Sequence, residues 1–144
     1  MTHRFCTLVQ AVILIFIMIM PGLADAQVSG RIIDVNWPSY GKMAGGGYSA
    51  HPVITIENTG SEAHVFYVQV GTQDPTGKWD DEFAMSTDTI APGKKIKFSD
   101  ILITIDPFYD NKPRGNYNGR VILYADSFKN HRLDSQIQNN AFKV

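Results

Sequence analysis

The chain has 144 residues, a formal net charge of −1, 44% hydrophobic and 19% charged residues. That length fits one domain, and the near-neutral balance excludes a global field for nucleic acid or an anionic membrane. The hydrophobic share excludes a disordered chain, and the single cysteine, Cys6, leaves the rest of the chain without a disulfide or thiolate metal site.

Residues 1–26 read MTHRFCTLVQAVILIFIMIMPGLADA. His3 and Arg4 form a short basic start, Leu8 to Met20 is apolar apart from Gln10, and Pro21-Gly22 interrupts the run. Ala24-Asp25-Ala26 then supplies a small-x-small cleavage motif. This order predicts a secretory signal peptide over 1–26. The alternative is an uncleaved anchor helix from Phe5 to Ala24. Both place residues 27–144 outside the cytoplasm, either secreted, periplasmic or at the cell surface. Cys6 precedes the apolar run, so it is not placed as a lipid-anchor cysteine.

The remaining chain reads as short strands between turns. A first strand runs from Gln27 to Asn36 and ends at Trp37-Pro38. Residues 39–49, with Gly45-Gly46-Gly47, read as a loop. Pro52 to Glu57 alternates, with Ile54 and Ile56 on one face, and Asn58-Thr59-Gly60-Ser61 turns the chain. Residues 63–71 alternate most clearly: Phe66, Val68 and Val70 face one way, Val65, Tyr67 and Gln69 the other. After a turn at Asp74-Pro75-Thr76-Gly77, a weaker strand lies near Phe83 to Thr89. Ala91-Pro92-Gly93 is a further turn. Lys94 to Ile105 carries Ile96, Phe98, Ile101, Ile103 and Ile105 inward, and the slip in phase at Ser99-Asp100 predicts a bulge or bend. A long loop follows, 106–116. Tyr117 to Ala125 points Tyr117, Val121, Leu123 and Ala125 inward, and the last strand runs from Leu133 to Val144.

Seven strands, frequent turns and no helical periodicity predict an all-β, seven-stranded immunoglobulin-like β-sandwich over 27–144. Its roughly 118 residues bury a little under ~70% of their unfolded surface, enough for a cooperative core. Phe66, Val68, Ile54, Ile56, Val121 and Leu123 are the expected centre of that core.

Several segments together resemble the CARDB-like subgroup of immunoglobulin and fibronectin-type domains found in archaeal and bacterial surface proteins. They are Ile54-Thr55-Ile56-Glu57-Asn58-Thr59-Gly60, Phe66 with Val68 and Val70, Ile90-Ala91-Pro92-Gly93, Phe98, and Tyr117 through Leu123-Tyr124. The resemblance covers most of 28–144 and rests on turn and core residues. It implies an adhesive, spacer or assembly role. The Gly-rich loop at 44–47 and the long loop at 106–116 depart from that pattern.

Catalytic markers are sparse. His51, His64 and His131 have no metal-ligand spacing. Asp74, Asp80, Asp81 and Glu82 in one segment and Asp106, Asp110 and Asn111 in another would offer oxygens to calcium, yet no D-x-[DN]-x-[DN]-G loop is present. No G-x-S-x-G elbow occurs. The expectation is therefore a non-enzymatic module with no cofactor and no metal. Loop aromatics (Trp37, Tyr40, Tyr48, Trp79, Phe108, Tyr109) point either to contact with a partner or to capping of the core, with Trp37 closing one end and Tyr117 as a corner tyrosine. Alternation leaves Val65, Tyr67, Ile122 and Tyr124 outward on two strands expected to be neighbours. They form the candidate partner-binding patch, for an envelope or extracellular protein or a second copy of the chain. The alternative function is a carbohydrate-binding module using the loop aromatics. No nucleic acid and no membrane span after signal cleavage are expected.

The export reading is checked by intact mass: the exported protein should begin at Gln27, having lost residues 1–26. A full-length mass in the membrane fraction would instead establish the anchor.

Overall fold

The computed structural model describes residues 27–38 and 40–144, apart from the side chain of Tyr40; residues 1–26, expected as a signal peptide, lie outside the described residues. No helix occurs among them. The strands are β1 (Gly30–Asn36), β2 (Tyr40–Lys42), β3 (Tyr48–Ala50), β4 (Val53–Asn58), β5 (Tyr67–Gln73), β6 (Trp79–Ser86), β7 (Lys95–Phe98), β8 (Ile103–Ile105), β9 (Asn116–Tyr124) and β10 (Arg132–Lys143).

One layer has the order β10-β9-β5-β6; the other is built from β1-β4-β7 and β2-β3-β8. The second and third sheets repeat one order because three long strands are each broken at the same level. Trp37-Pro38 follows β1 ahead of β2, His51-Pro52 separates β3 from β4, and Ser99 to Leu102 separates β7 from β8. The described residues therefore form ten strands rather than the seven expected. The segment expected as a loop over 39–49 is a hairpin, closed by Met43 N–H to Gly47 O at 2.7 Å. The expected slip at Ser99-Asp100 is the bend between β7 and β8. Strand β5 starts at Tyr67, later than expected, because 63–66 makes no continuous ladder: His64 forms an isolated bridge with Ile90, and Phe66 N–H bonds the Thr87 hydroxyl while Phe66 O accepts from Thr87 N–H. Strand β6 starts at Trp79, earlier than expected: its polar half pairs with β5 as well as its apolar half does.

Alternation decides what is buried, since successive side chains point to opposite faces. Ile54, Ile56, Phe66, Val68, Val70, Tyr117, Val121 and Leu123 are all fully enclosed between the layers, and Ile101, Ile103 and Ile105 join them from the bent strand. All six residues expected at the core centre are among these. At one side the layers are tied by β10 to β1: Asp134 accepts from Ile32 N–H at 2.7 Å, and Gln136 donates to Ile32 O at 2.9 Å. These bonds sit at the bulge between Ile32 and Asp34.

Two polar arrangements fix the ends. The Tyr117 hydroxyl donates to Pro113 O at 2.6 Å, the expected corner tyrosine. Trp37 stacks on Phe142 at 5.5 Å, and Phe142 on Tyr117 at 5.2 Å. The Trp37 ring covers Gly119, where any Cβ would overlap it. At the opposite end the buried Asn58 amide donates to Glu62 O and Ile90 O, both at 2.7 Å, and accepts from Gly60 N–H at 2.9 Å. It binds the β4–β5 turn to the β6–β7 loop.

Phe66→Ala should lower stability by about 3–5 kcal/mol, and Tyr67→Ala, on the opposite face, by distinctly less. Urea melts measure both; equal losses would mean that the register is misread.

Candidate functional site

Strands β5 and β9 are neighbours, as expected, and their register places Tyr67 opposite Tyr124 and Gln69 opposite Ile122. The four candidate residues do not make one continuous patch. Ile122 points outward but is only 7% exposed. It lies on a central strand between Gln69 and Ser135, so neighbours crowd it from both sides. Val65 precedes β5 and is not on the strand that carries Tyr67. Tyr67, Tyr124 and Val65 are each half-buried.

What the structure adds is a concavity. A depression of about 450 Å³ opens where the β4–β5 and β9–β10 loops meet. Val65 and Tyr67 line it with Ala63, His64, Ala125 and Phe128. The Phe128 side chain is 83% exposed at its margin. Sequence reading missed Phe128: Asp126-Ser127-Phe128-Lys129 has no alternation, and only the meeting of two loops gives the ring a context. The local backbone is well held. His64 Nε2 lies 2.8 Å from Ala125 O, and the His64 ring meets Phe66 edge-on at 4.9 Å. Asp126 accepts from His131 N–H at 3.0 Å. His64 is thus built into the wall, His131 is exposed in the loop, and His51 lies between β3 and β4.

The loop aromatics divide sharply. Trp37 is spent in the stack above Gly119. Tyr48 packs against the core. Trp79 is covered by the Arg120 guanidinium, 4.4 Å from the ring centroid. Phe108 and Tyr109, by contrast, are 89% and 88% exposed. Both N–H groups bond to Asp106 Oδ1, at 2.8 and 3.1 Å, which makes the tip of the β8–β9 loop a fixed turn.

The acidic residues have partners within the chain. Asp74 Oδ1 accepts from Thr76 N–H, Thr76 hydroxyl and Lys78 N–H at 2.8, 2.6 and 3.1 Å. Lys112 bridges Glu82 at 2.7 Å and Asp80 at 3.1 Å, and Arg120 meets Asp81 at 2.9 Å. No group of three or more His, Cys, Asp or Glu side chains converges on a metal position among the described residues. At Asp74, desolvation works upward, but the Thr76 hydroxyl and the Lys78 and Thr76 amides outweigh it and hold the carboxyl below its usual range. At Asp80 the Lys112 hydrogen bond dominates desolvation, again lowering it. Lys112 is raised in turn: burial pushes it down, and its bonds to Glu82 and Asp80 prevail.

No protein-family model matches the chain, and no curated protein matches it. Among solved structures it is similar to a putative β-galactosidase from Bacteroides fragilis, with a TM-score of 0.56 and 13% identity over 76% of this chain. It is also similar to a β-glucuronidase from Bacteroides uniformis, with a TM-score of 0.54 and 11% identity over 76% of this chain. The matched regions are 17% and 14% of those chains, so this chain spans a small part of their length. At such identities the likeness establishes the fold: an immunoglobulin-like β-sandwich.

A carboxyl whose pKa is depressed by folding adds stability above its unfolded value, near ~3.9, and loses it as pH falls through the lower folded value. Asp74→Ala should therefore lower the Tm at pH 7. That deficit should narrow as pH drops below about 4. A deficit unchanged down to pH ~2 would show that the carboxylate charge is irrelevant to the turn.

Proposed function

We propose that this chain is an exported, non-catalytic immunoglobulin-like module of the cell envelope or extracellular space, acting by protein–protein contact. The observation that carries the proposal is the 450 Å³ depression flanked by Val65, Tyr67 and the exposed Phe128. A concave, apolar-lined site on a rigid scaffold beside an exposed ring has the chemistry of an interface anchor pocket. The export expectation comes from residues 1–26, and the CARDB-like resemblance of 28–144 supports an adhesive or assembly role. The similar solved structures support this indirectly, because the fold occurs there as a minor part of larger glycosidase chains.

The carbohydrate-binding reading draws less support. It needs several exposed rings near one another, and three of the candidate loop aromatics, Trp37, Tyr48 and Trp79, are engaged inside the molecule.

A photo-crosslinking phenylalanine analogue at position 128 tests the proposal in the native envelope. It should trap a defined protein product, and Tyr67→Lys with Tyr124→Lys should remove that product while leaving the thermal melt near wild type. Absence of any protein product, together with retention of the domain on envelope polysaccharide, would replace the protein-contact reading by the carbohydrate one.

A further inference from the structure

We propose that the depression receives the Phe108–Tyr109 pair of a second copy of this chain, so that copies join head to tail. The inference rests on the protein-contact reading of the depression and names its occupant.

The two features lie at opposite ends of the sandwich. Strand β9 begins at Asn116, directly after the loop that carries Phe108 and Tyr109, and ends at Tyr124, directly before Ala125 to Phe128. Its nine residues separate the two ends by about 30 Å at ~3.4 Å per residue. One end therefore carries a convex apolar feature, and the other carries a concave one. An aromatic pair exposed to nearly its full extent is not covered by any of the described residues.

The depression is broad and open, about 450 Å³, so the two rings would lie against its lining rather than be enclosed by it. The knob is preorganised, since Asp106 fixes both amides and Asp110 N–H bonds Asp106 O at 2.9 Å. The base of the loop is tied by Tyr117 to Pro113 and by Lys112 to Glu82. Little ordering entropy is then lost on docking. Two aromatic side chains bury about 150–250 Å² each. Counting both partners, the contact stays below the ~1,200 Å² of a standard interface. The association is accordingly weak and concentration-dependent. Because knob and hole are different surfaces, the contact is heterologous, and where its rotation does not close a ring it propagates as a chain of copies.

Sedimentation and light scattering from about 10 μM to 1 mM, the range set by so small a contact, test this with the protein as isolated. Wild type should grow in average mass beyond the dimer. Phe108→Asp with Tyr109→Asp, which changes two almost wholly exposed side chains and keeps the backbone amides bonded to Asp106, should stay monomeric with an unchanged melt. Tyr67→Lys with Phe128→Asp should also stay monomeric. An equimolar mixture of the two variants retains one knob and one hole, and should stop at a 1:1 dimer. A wild type that remains monomeric throughout, or a knob variant that associates as wild type does, overturns the inference. In either of those cases a protein still trapped from position 128 would leave the protein-contact reading standing with a different partner.

Discussion

The stack of Trp37, Phe142 and Tyr117 is the contact on which one whole end of the molecule depends. It joins the break between β1 and β2, the last turn of β10 and the start of β9 in one apolar column. Trp37 is placed there because position 119 is glycine: the indole occupies the space that a side chain on β9 would need. Tyr117, held by this column, turns its hydroxyl to Pro113 and so fixes the exit of the β8–β9 loop. A loop of ten residues between β8 and β9 would ordinarily be mobile. Here its two ends and its tip are each bonded, and the exposed aromatic pair is carried on a stiff support.

The other end depends on a polar residue. Asn58 is completely buried, and burying an amide is costly unless its hydrogen bonds are replaced. It makes three through its side chain, to Glu62, Gly60 and Ile90. Those bonds set the level of the β4–β5 and β6–β7 connections, from which Ala63 to Phe66 and Thr89-Ile90 start. His64 ties the β4–β5 connection to the β9–β10 loop through Ala125 O, and the depression lies beside that contact.

The two lateral sides of the sandwich differ. Between β1 and β10 the layers are bridged by Asp134 and Gln136. Between β6 and β7 no equivalent bridge occurs among the described residues, and Phe83, Met85, Phe98 and Ile101 line a groove of about 160 Å³. The exposed Lys95 and Lys97 on β7, with Lys94 just before it, explain why such an open edge is tolerated. Lysine on an edge strand opposes pairing with another chain, since joining the edge would desolvate its charge. That guards the sides, and it leaves the loop ends as the surfaces free to make contact.

Residue order alone determined the all-β class, the inward faces of the strands and the bend at Ser99-Asp100, because strand alternation and turn chemistry are local. Ile54 and Ile56, Val121 and Leu123 are buried for no reason beyond their spacing and hydrophobicity. The corner role of Tyr117 was also legible, from its place at the start of a strand after a proline-containing loop. The tertiary structure decided the rest. The break of three strands at one level follows from layer geometry and has no local signal, so residues 39–49 read as a loop until β8 supplies a pairing partner. Ile122 alternates outward, yet it is covered because it lies between two strands, a fact of sheet order. Trp37 and Trp79 look alike as loop aromatics in the sequence. One is enclosed over Gly119 and the other lies beneath Arg120, while Phe108, Tyr109 and Phe128 stay exposed. Such sorting depends on contacts between residues far apart in the chain, and a linear pattern carries no information about which ring finds a partner.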